Sequence, residues 1–507
     1  MAQGSAIAPF KAPIFRMCWT ANLVANLGST TQALTVAWLM TRATNGSPAL
    51  VASVQTAASL PLVLLSLPAG AFADLYDPRR VMLAAQSLTF AAAASLLILA
   101  AASRLSPISL LIFTFLGGAG FALANPAWHA SIRLQISDDR QLEPAILLNA
   151  VGFNLARSVG PAVGGGILAF GGPVAALAAS TASIAPLLAA LAGWRPPPRM
   201  VSERESLTSA ISAGLRYVAW RPALSAVAAR ACLFTFCGAS VWALTPIIAH
   251  DRLGGDAALL GKLVSMFGVG AFVGAIGRAR FVSWPRARFL SACTILYALA
   301  TALLGIATSV APALIAMFLA GAGWVAGLSG LNVAIQVHAA QWVAARAISL
   351  LQVALFLGLA AGSFCWGMIA DHYGLTAAML GSATVMLATL AACRALPIVS
   401  DDGVDLTSAP ATFDDTVFPP GLVKIEQLYC PAPEAEGQFL LLMQQLGSAR
   451  RRDGARRWTL SRHTGGEWLE RFELPDAAAE RRRRARRTQE DARLERAISS
   501  LMENENG

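Results

Sequence analysis

Charge is scarce in this chain. Only 13% of its 507 residues are Asp, Glu, Lys or Arg, against about 25% in ordinary soluble domains, while 56% are hydrophobic. Carboxylates are scarcest where the apolar runs are longest. Residues 1–396 hold ten (Asp74, Asp77, Asp138, Asp139, Glu143, Glu203, Glu205, Asp251, Asp256 and Asp371), each lying between apolar runs or at their edges. A hydrocarbon interior enforces that placement, because an ionised carboxylate inside it is costly. The seven cysteines have neither metal-ligand spacing nor an even-numbered secretory pattern, which argues against a zinc module or a disulfide scaffold. They are small hydrophobes. No cofactor motif is present. The net charge of +10 is not a nucleic-acid footprint: residues 1–396 hold 23 basic residues against 10 acids, 397–420 hold five Asp, and 421–507 hold 16 against 14. The excess therefore belongs to the apolar part of the chain.

Long apolar runs are what the sequence does have. A bilayer core of about 30 Å requires about 20 apolar residues per helix. Twelve runs of that order occur before residue 397, the first at 15–40, which is too long for a cleavable signal. The expected fold is an all-α membrane protein of twelve transmembrane helices in two six-helix halves, with a small α+β domain appended. The expected organisation is a first half at 1–195, a linker at 196–221 with Pro196, Pro197, Pro198 and an amphipathic stretch near Leu207 to Val218, and a second half at 222–396. An acidic linker at 397–420 and an α+β domain at 421–507 follow. Placing both termini in the cytosol puts 17 basic residues inside and leaves Arg42, Arg104, Arg252 and Lys262 outside, as the positive-inside rule asks.

The halves repeat each other. Phe115, Leu116, Gly118, Ala119 and Gly120 recur 203 residues later as Phe318, Leu319, Gly321, Ala322 and Gly323. The same shift carries Leu147, Leu148, Phe153, Gly164 and Gly171 onto Leu350, Leu351, Phe356, Gly367 and Gly374. Two parallel repeats are the architecture in which a central site alternates between two faces. After the acidic linker, periodicity changes to that of a soluble domain. Val423, Ile425 and Tyr429 alternate along a strand; Phe439, Leu442, Met443 and Leu446 mark a helix face; Trp458 with Leu460, and Trp468 with Phe472, mark two more strands. One basic helix is expected from about Pro475, with Leu494, Ile498 and Leu501 on one side. The order suggests a ferredoxin-like domain. Its cluster Arg481, Arg482, Arg483, Arg484, Arg486 and Arg487 reads as a solvated face or as a contact to anionic lipid.

Residues Gly70 to Arg80 contain Gly70, then Asp74 four residues on, then the basic pair Arg79 and Arg80. This resembles the motif joining helices two and three in major facilitator superfamily transporters, with Asp77 and Pro78 where that family usually has glycine and a basic residue. Gly70 permits close helix approach and Asp74 can face the positive end of a neighbouring helix. The competing reading is that Asp74 terminates a span and the arginines obey the charge rule. Gly160, Pro161 and Gly164 look like the Gly-Pro motif of antiporter-type members; packing and gating are both open for them. Together with Asn125 to His129, Leu148-Asn149 and Trp366 to Gly374, the whole chain is similar to the branch holding the enterobactin exporter and the transmembrane secretion effectors. The resemblance implies transport, and export of a siderophore- or drug-like solute from the bacterial inner membrane.

Candidate solute-binding residues are Asn22, Asn26, Gln32, Arg157 and Arg230. The three amides can bind solute but cannot carry a proton at neutral pH, and none of the ten acids lies deep in a span. The two arginines lie about eleven and eight residues into their spans with no acid in either span. They can attract an anionic group on the solute, or serve structure by bonding helix carbonyls or, for Arg230, by snorkelling. The expected partners are a small organic solute and the bilayer, with self-association or a cytosolic partner through 421–507. No cofactor, metal or nucleic acid is expected. An alternative function is a non-transporting scaffold or sensor acting through the C-terminal domain. An enzymatic role for that domain is the poorest reading, since His463 is its only histidine.

Overall fold

The structure, a computed structural model, describes residues 7–136, 138–196, 216–281, 283–340, 343–395, 409, 421–463 and 467–502. Its first part is helical: α1 Pro13–Ala43, α2 Pro48–Leu75, α3 Pro78–Ala101 and α4 Pro107–Ile132 precede the continuous stretch Leu142–Gly193. Gly172 breaks that stretch with φ 76° and ψ 178°, so it is two helices, α5 over 142–171 and α6 over 173–193. Then follow α7 Pro222–Ile247, α8 Ala257–Gly277, α9 Arg286–Ile306, α10 Val310–His338, α11 Ala344–Tyr373 and α12 Leu375–Ala395. Proline opens six of these helices, at Pro13, Pro48, Pro78, Pro107, Pro173 and Pro222, because its missing N–H is unpaired at a first turn anyway. Among the described residues nine helices are long and apolar enough to cross a bilayer, the 52-residue Leu142–Gly193 being counted once. The chain is a multi-pass membrane protein.

The repeat seen in the sequence is a repeat of packing. Gly118 lets α4 approach α2, where an added Cβ would lie 2.6 Å from the Ala58 carbonyl oxygen; its counterpart Gly321 lets α10 approach α8 at Phe267 and Ala271. Gly120 sets α4 against Ala85 and Thr89 of α3, and its counterpart Gly323 sets α10 against Cys293 and Tyr297 of α9. Each glycine does the same work six helices later. The seams between halves obey the same exchange. Gly165 of α5 meets Gly261 of α8, and Gly367 of α11 meets Pro48 and Ala52 of α2. Thr56 donates to the Ala360 carbonyl (3.1 Å) and Ser47 to Asp371 (3.0 Å) along the second seam. These described cross-half contacts lie on the portions of α2, α5, α8 and α11 remote from the chain termini.

Contacts divide the chain into two compact units: 1–202 with 229–331 and 352–396, and 203–228 with 332–351 and 397–507. The second is built on a three-stranded antiparallel sheet in the order β1 (Val423–Tyr429), β3 (Trp468–Leu474), β2 (Arg456–Arg462). Helix α13, Glu436–Arg452, covers it with Phe439, Met443 and Leu446 in one core with Tyr429 and Ile498. The strands and this helix fall where the alternation placed them. The single basic helix expected after Pro475 is instead two, α14 Ala477–Ala485 and α15 Gln489–Ser499. Thr488 is the reason: its hydroxyl and the Asp491 carboxylate form a capping box that starts a new helix. The described sheet has three strands, and an isolated bridge, Pro431 to Met502, lies just past β1.

Sheet and segment 216–221 are joined by cations. Glu470, fully buried in β3, accepts from the Tyr429 hydroxyl (2.9 Å), the Trp458 indole (2.8 Å) and Arg450 (3.5 Å). Burial and the adjacent Glu470 carboxylate push the Tyr429 phenol up. Arg451 lies between the rings of Trp458 (5.0 Å) and Trp220 (5.1 Å), Arg452 lies 5.4 Å from the Tyr217 ring, and Arg221 pairs with Glu490 at 2.7 Å. The fully buried Tyr217 hydroxyl in turn accepts from the backbone N–H of Ala340 (3.2 Å). Of the predicted amphipathic stretch, 207–215 lie outside the described residues.

Candidate solute site

Helix α5 approaches its neighbours through its small residues. An added Cβ at Gly164 would lie 2.8 Å from Thr31 of α1, and one at Gly165 would lie 2.8 Å from Gly261 of α8. Gly160 faces Thr30 in the same way. Pro161 has no N–H to offer the carbonyl of Arg157. That freed carbonyl lies 3.0 Å from a Cβ built on Gly268, and the Ser158 hydroxyl donates to the Gly268 carbonyl (3.1 Å). Glycine and proline thereby set Arg157 at the seam between the halves.

The guanidinium of Arg157 lies 5.6 Å from the Phe153 ring of its own helix and 5.5 Å from the Trp242 ring of α7. Both distances fall in the range of attraction between a cation and an aromatic face. Trp242 belongs to an aromatic cluster. It meets Phe267 edge-on at 4.6 Å and Trp324 at 6.0 Å; Trp324 stacks on Phe234 at 5.5 Å, and Tyr297 packs against both. Gly238 gives the Trp324 ring its room, and the Tyr297 hydroxyl donates to the Gly238 carbonyl. Among the described residues Arg157 makes no ion pair or hydrogen bond, and the buried indole N–H of Trp242 has no acceptor. Unpartnered buried donors are uncommon and costly. Here a buried cation and a buried neutral donor lie at one seam, a pairing whose chemistry suits an acceptor-rich, negatively charged group.

The other predicted residues are placed apart. Arg230 lines a cavity of about 30 Å³ with Phe234, Leu290, Thr294, Leu331 and Thr389, among α7, α9, α10 and α12. Twelve residues of α7 separate it from Trp242, about 18 Å of rise, so the two arginines do not clamp one group. Asn22 and Asn26 lie one turn apart on α1, half-buried and without hydrogen-bond partners among the described residues; Gln32 is turned about 120° from Asn26. In the motif after α2, the side chain of Asp74 lies outside the described residues. No described atom lies within 4 Å of a Cβ built on Gly70. Asp77 caps α3 by accepting from the Arg79 N–H (2.9 Å), with Pro78 in the first helical position. Arg79 donates across to the last carbonyls of α6, Leu191 (2.8 Å) and Ala192 (2.6 Å). Arg80 is exposed. Two residues of the resembling strings also find roles: the Trp128 indole donates to Asn149 (2.8 Å), tying α4 to α5, and the Trp366 indole donates to the Phe236 carbonyl (2.9 Å).

A family model, described as transmembrane secretion effector, matches residues 4–506. The chain belongs to that family. A multidrug efflux pump, Tap, of Mycolicibacterium fortuitum is 26% identical over 402 residues, 77% of this chain and 97% of the pump. The staphyloferrin A transporter of Staphylococcus aureus is 36% identical over 111 residues, 22% of this chain and 28% of that transporter. Among solved structures, a bacterial homologue of the lysosomal transporter Spinster, inward-facing and unoccupied, aligns with a TM-score of 0.58 at 16% identity, over 78% of this chain and 96% of its own. A POT family transporter in complex with 5-aminolevulinic acid aligns with 0.62 at 13%, over 75% and 95%. The chain thus has the fold of major facilitator transporters, and its family and fold are those of membrane transporters rather than enzymes.

Proposed function

We propose that this chain is a carrier of twelve transmembrane helices in the bacterial inner membrane, with both termini cytosolic, exporting a small organic solute with an anionic group by alternating access. The observation that carries this reading is Arg157, which among the described residues has no ion pair or hydrogen bond and lies over the ring of Trp242, whose indole N–H likewise has no described acceptor, where the two halves meet. An aromatic wall with one cation and one neutral donor suits a ring-bearing solute carrying a carboxylate or catecholate. The siderophore- or drug-like class is supported by the names of the two relatives. Seams packed away from the termini fit a cavity open to the cytosol, and the small-residue contacts of α5 with α8 and of α2 with α11 are surfaces on which the halves could rock.

Transport into inverted vesicles, measured with matched anionic and neutral solutes, tests the reading. Arg157→Gln should lower uptake of the anionic solute at least tenfold and of the neutral one far less, with Arg157→Lys between them. Equal losses for both solutes would refute the role given to Arg157.

A further inference from the structure

The C-terminal α+β domain contains a pocket of about 400 Å³, far larger than the one beside Arg230 and within the range that holds small organic ligands. Its lining carries five arginines against three carboxylates. Leu446 and Ile498 supply an apolar part, and Tyr429 adds an aromatic ring. The arginines are not all consumed by ion pairs. Arg450 is shared between Glu470 and Glu495, and Arg483 and Arg484 both hold Glu480. Arg487 reaches Glu495 with one terminal nitrogen, while its Nε is buried with no acceptor among the described residues. Arg496 bonds only the Ala492 carbonyl of its own helix among the described residues. The break between α14 and α15 at Thr488 is what turns Arg487 and Arg496 towards one cavity.

We infer that this pocket binds a small organic anion, an oxyanion group on a short apolar body, and that its occupancy is communicated to α7. Arg487 and Arg496 would take the oxyanion through charge-assisted hydrogen bonds, with the apolar body against Leu446 and Ile498. The pocket wall is also the wall that grips segment 216–221. Asp491 lines the pocket and bonds Arg452 at 2.9 Å, and Arg452 covers Tyr217; Glu490, one residue before, pairs with Arg221. Burial raises the Asp491 carboxyl, but Arg452 and Thr488 outweigh it and hold the group below the usual carboxylate range, so it stays charged at neutral pH. A ligand that draws α15 towards α14 therefore pulls on the residues that lead into α7. The binding step stands independently of the transport reading; its communication to α7 rests on it.

Calorimetry on the full chain in zwitterionic nanodiscs, with benzoate, phenyl phosphate and the neutral isostere benzamide, tests the binding step. At least one anion should bind, at least tenfold more tightly than benzamide. The double variant Arg487→Gln, Arg496→Gln should weaken it at least tenfold, and Ala449→Trp, which fills the pocket without changing its charge, should do the same. Arg157→Gln removes any separate binding of the anion at the seam of the halves, and the binding that remains should still be lost in both pocket variants. Binding of neither anion, equal binding of benzamide, or retention of full binding in both pocket variants would overturn the inference. For the communication to α7, the bound anion should change counterflow in proteoliposomes at least twofold, and Arg221→Gln should abolish that change while calorimetric binding persists. An unaltered response in Arg221→Gln would overturn that step alone.

Discussion

Arg79 is a residue whose chemistry is plain in the sequence and whose partner is not. A basic residue after a span satisfies the charge rule wherever its side chain points. Only the folded chain brings it to Leu191 and Ala192, 112 and 113 residues away, where it bonds the carbonyls that α6 leaves unpaired and complements the negative end of that helix. Arg79→Ala should therefore destabilise the first half by about 1–2 kcal/mol, the range for hydrogen bonds from a charged donor at a partly solvated site. Arg79→Lys, with a single point charge in place of a fork, should recover about half. Thermal melting of purified protein in one detergent would check both, and a melting temperature unchanged in Arg79→Ala would deny the capping role. The Trp242 cluster was likewise hidden. Its aromatic residues are spread over α7, α8, α9 and α10, and nothing local distinguishes a tryptophan that faces Arg157 from one that faces lipid.

Elements were the most legible level. Span length and the Gly-Gly-Pro at 171–173 separate α5 from α6 at the turn that Gly172 makes, and strand alternation locates the sheet, because burial in lipid and burial on a sheet impose different periods on the same residue types. The second basic helix was missed because a capping box at Thr488 lies inside a run of charges that looks uniformly helical. Contacts between elements were half legible: a glycine-rich helix announces close packing but does not say which glycine faces a neighbour. Adjacent residues of α5 give the sharpest test. A methyl group at Gly165 would meet backbone of α8, the Gly261 Cα at 2.8 Å and the Ala257 carbonyl oxygen at 3.0 Å, whereas at Gly166 no described atom lies within 4 Å. Gly165→Ala should force α5 and α8 apart and cut transport at least fivefold at equal expression. Gly166→Ala should transport normally and gain up to about 1 kcal/mol in stability, from the helix propensity of alanine over glycine. Equal behaviour of the two variants in a vesicle assay would show that the α5–α8 seam does not govern the cycle.

At the scale of the whole molecule, an internal repeat and an appended domain make different demands on the chain. The repeat is visible as a constant shift of residues because packing of α4 on α2 and α3, and of α10 on α8 and α9, requires the same missing side chains at the same places. The attachment of the C-terminal domain left no such trace. Its two cation–aromatic contacts to segment 216–221 join residues more than 230 positions apart, and an arginine beside a tryptophan is unremarkable in either stretch alone. The contact unit that contains the domain accordingly includes 203–228 and 332–351 as well as 397–507. A truncation ending at residue 420 removes Arg451, Arg452 and Glu490 together, uncovering the ring of Tyr217 and leaving Arg221 without its carboxylate. The membrane helices keep their own cores, with the cluster around Trp324 and the seams at Gly165 and Gly367 untouched. The truncated chain should therefore insert and still transport, with a melting temperature several degrees lower and a changed rate. The double variant Arg451→Ala, Arg452→Ala in the full chain should reproduce part of both effects. Loss of all transport by a truncation that inserts and melts cooperatively would mean that the domain belongs to the transport machinery itself rather than modulating it through segment 216–221.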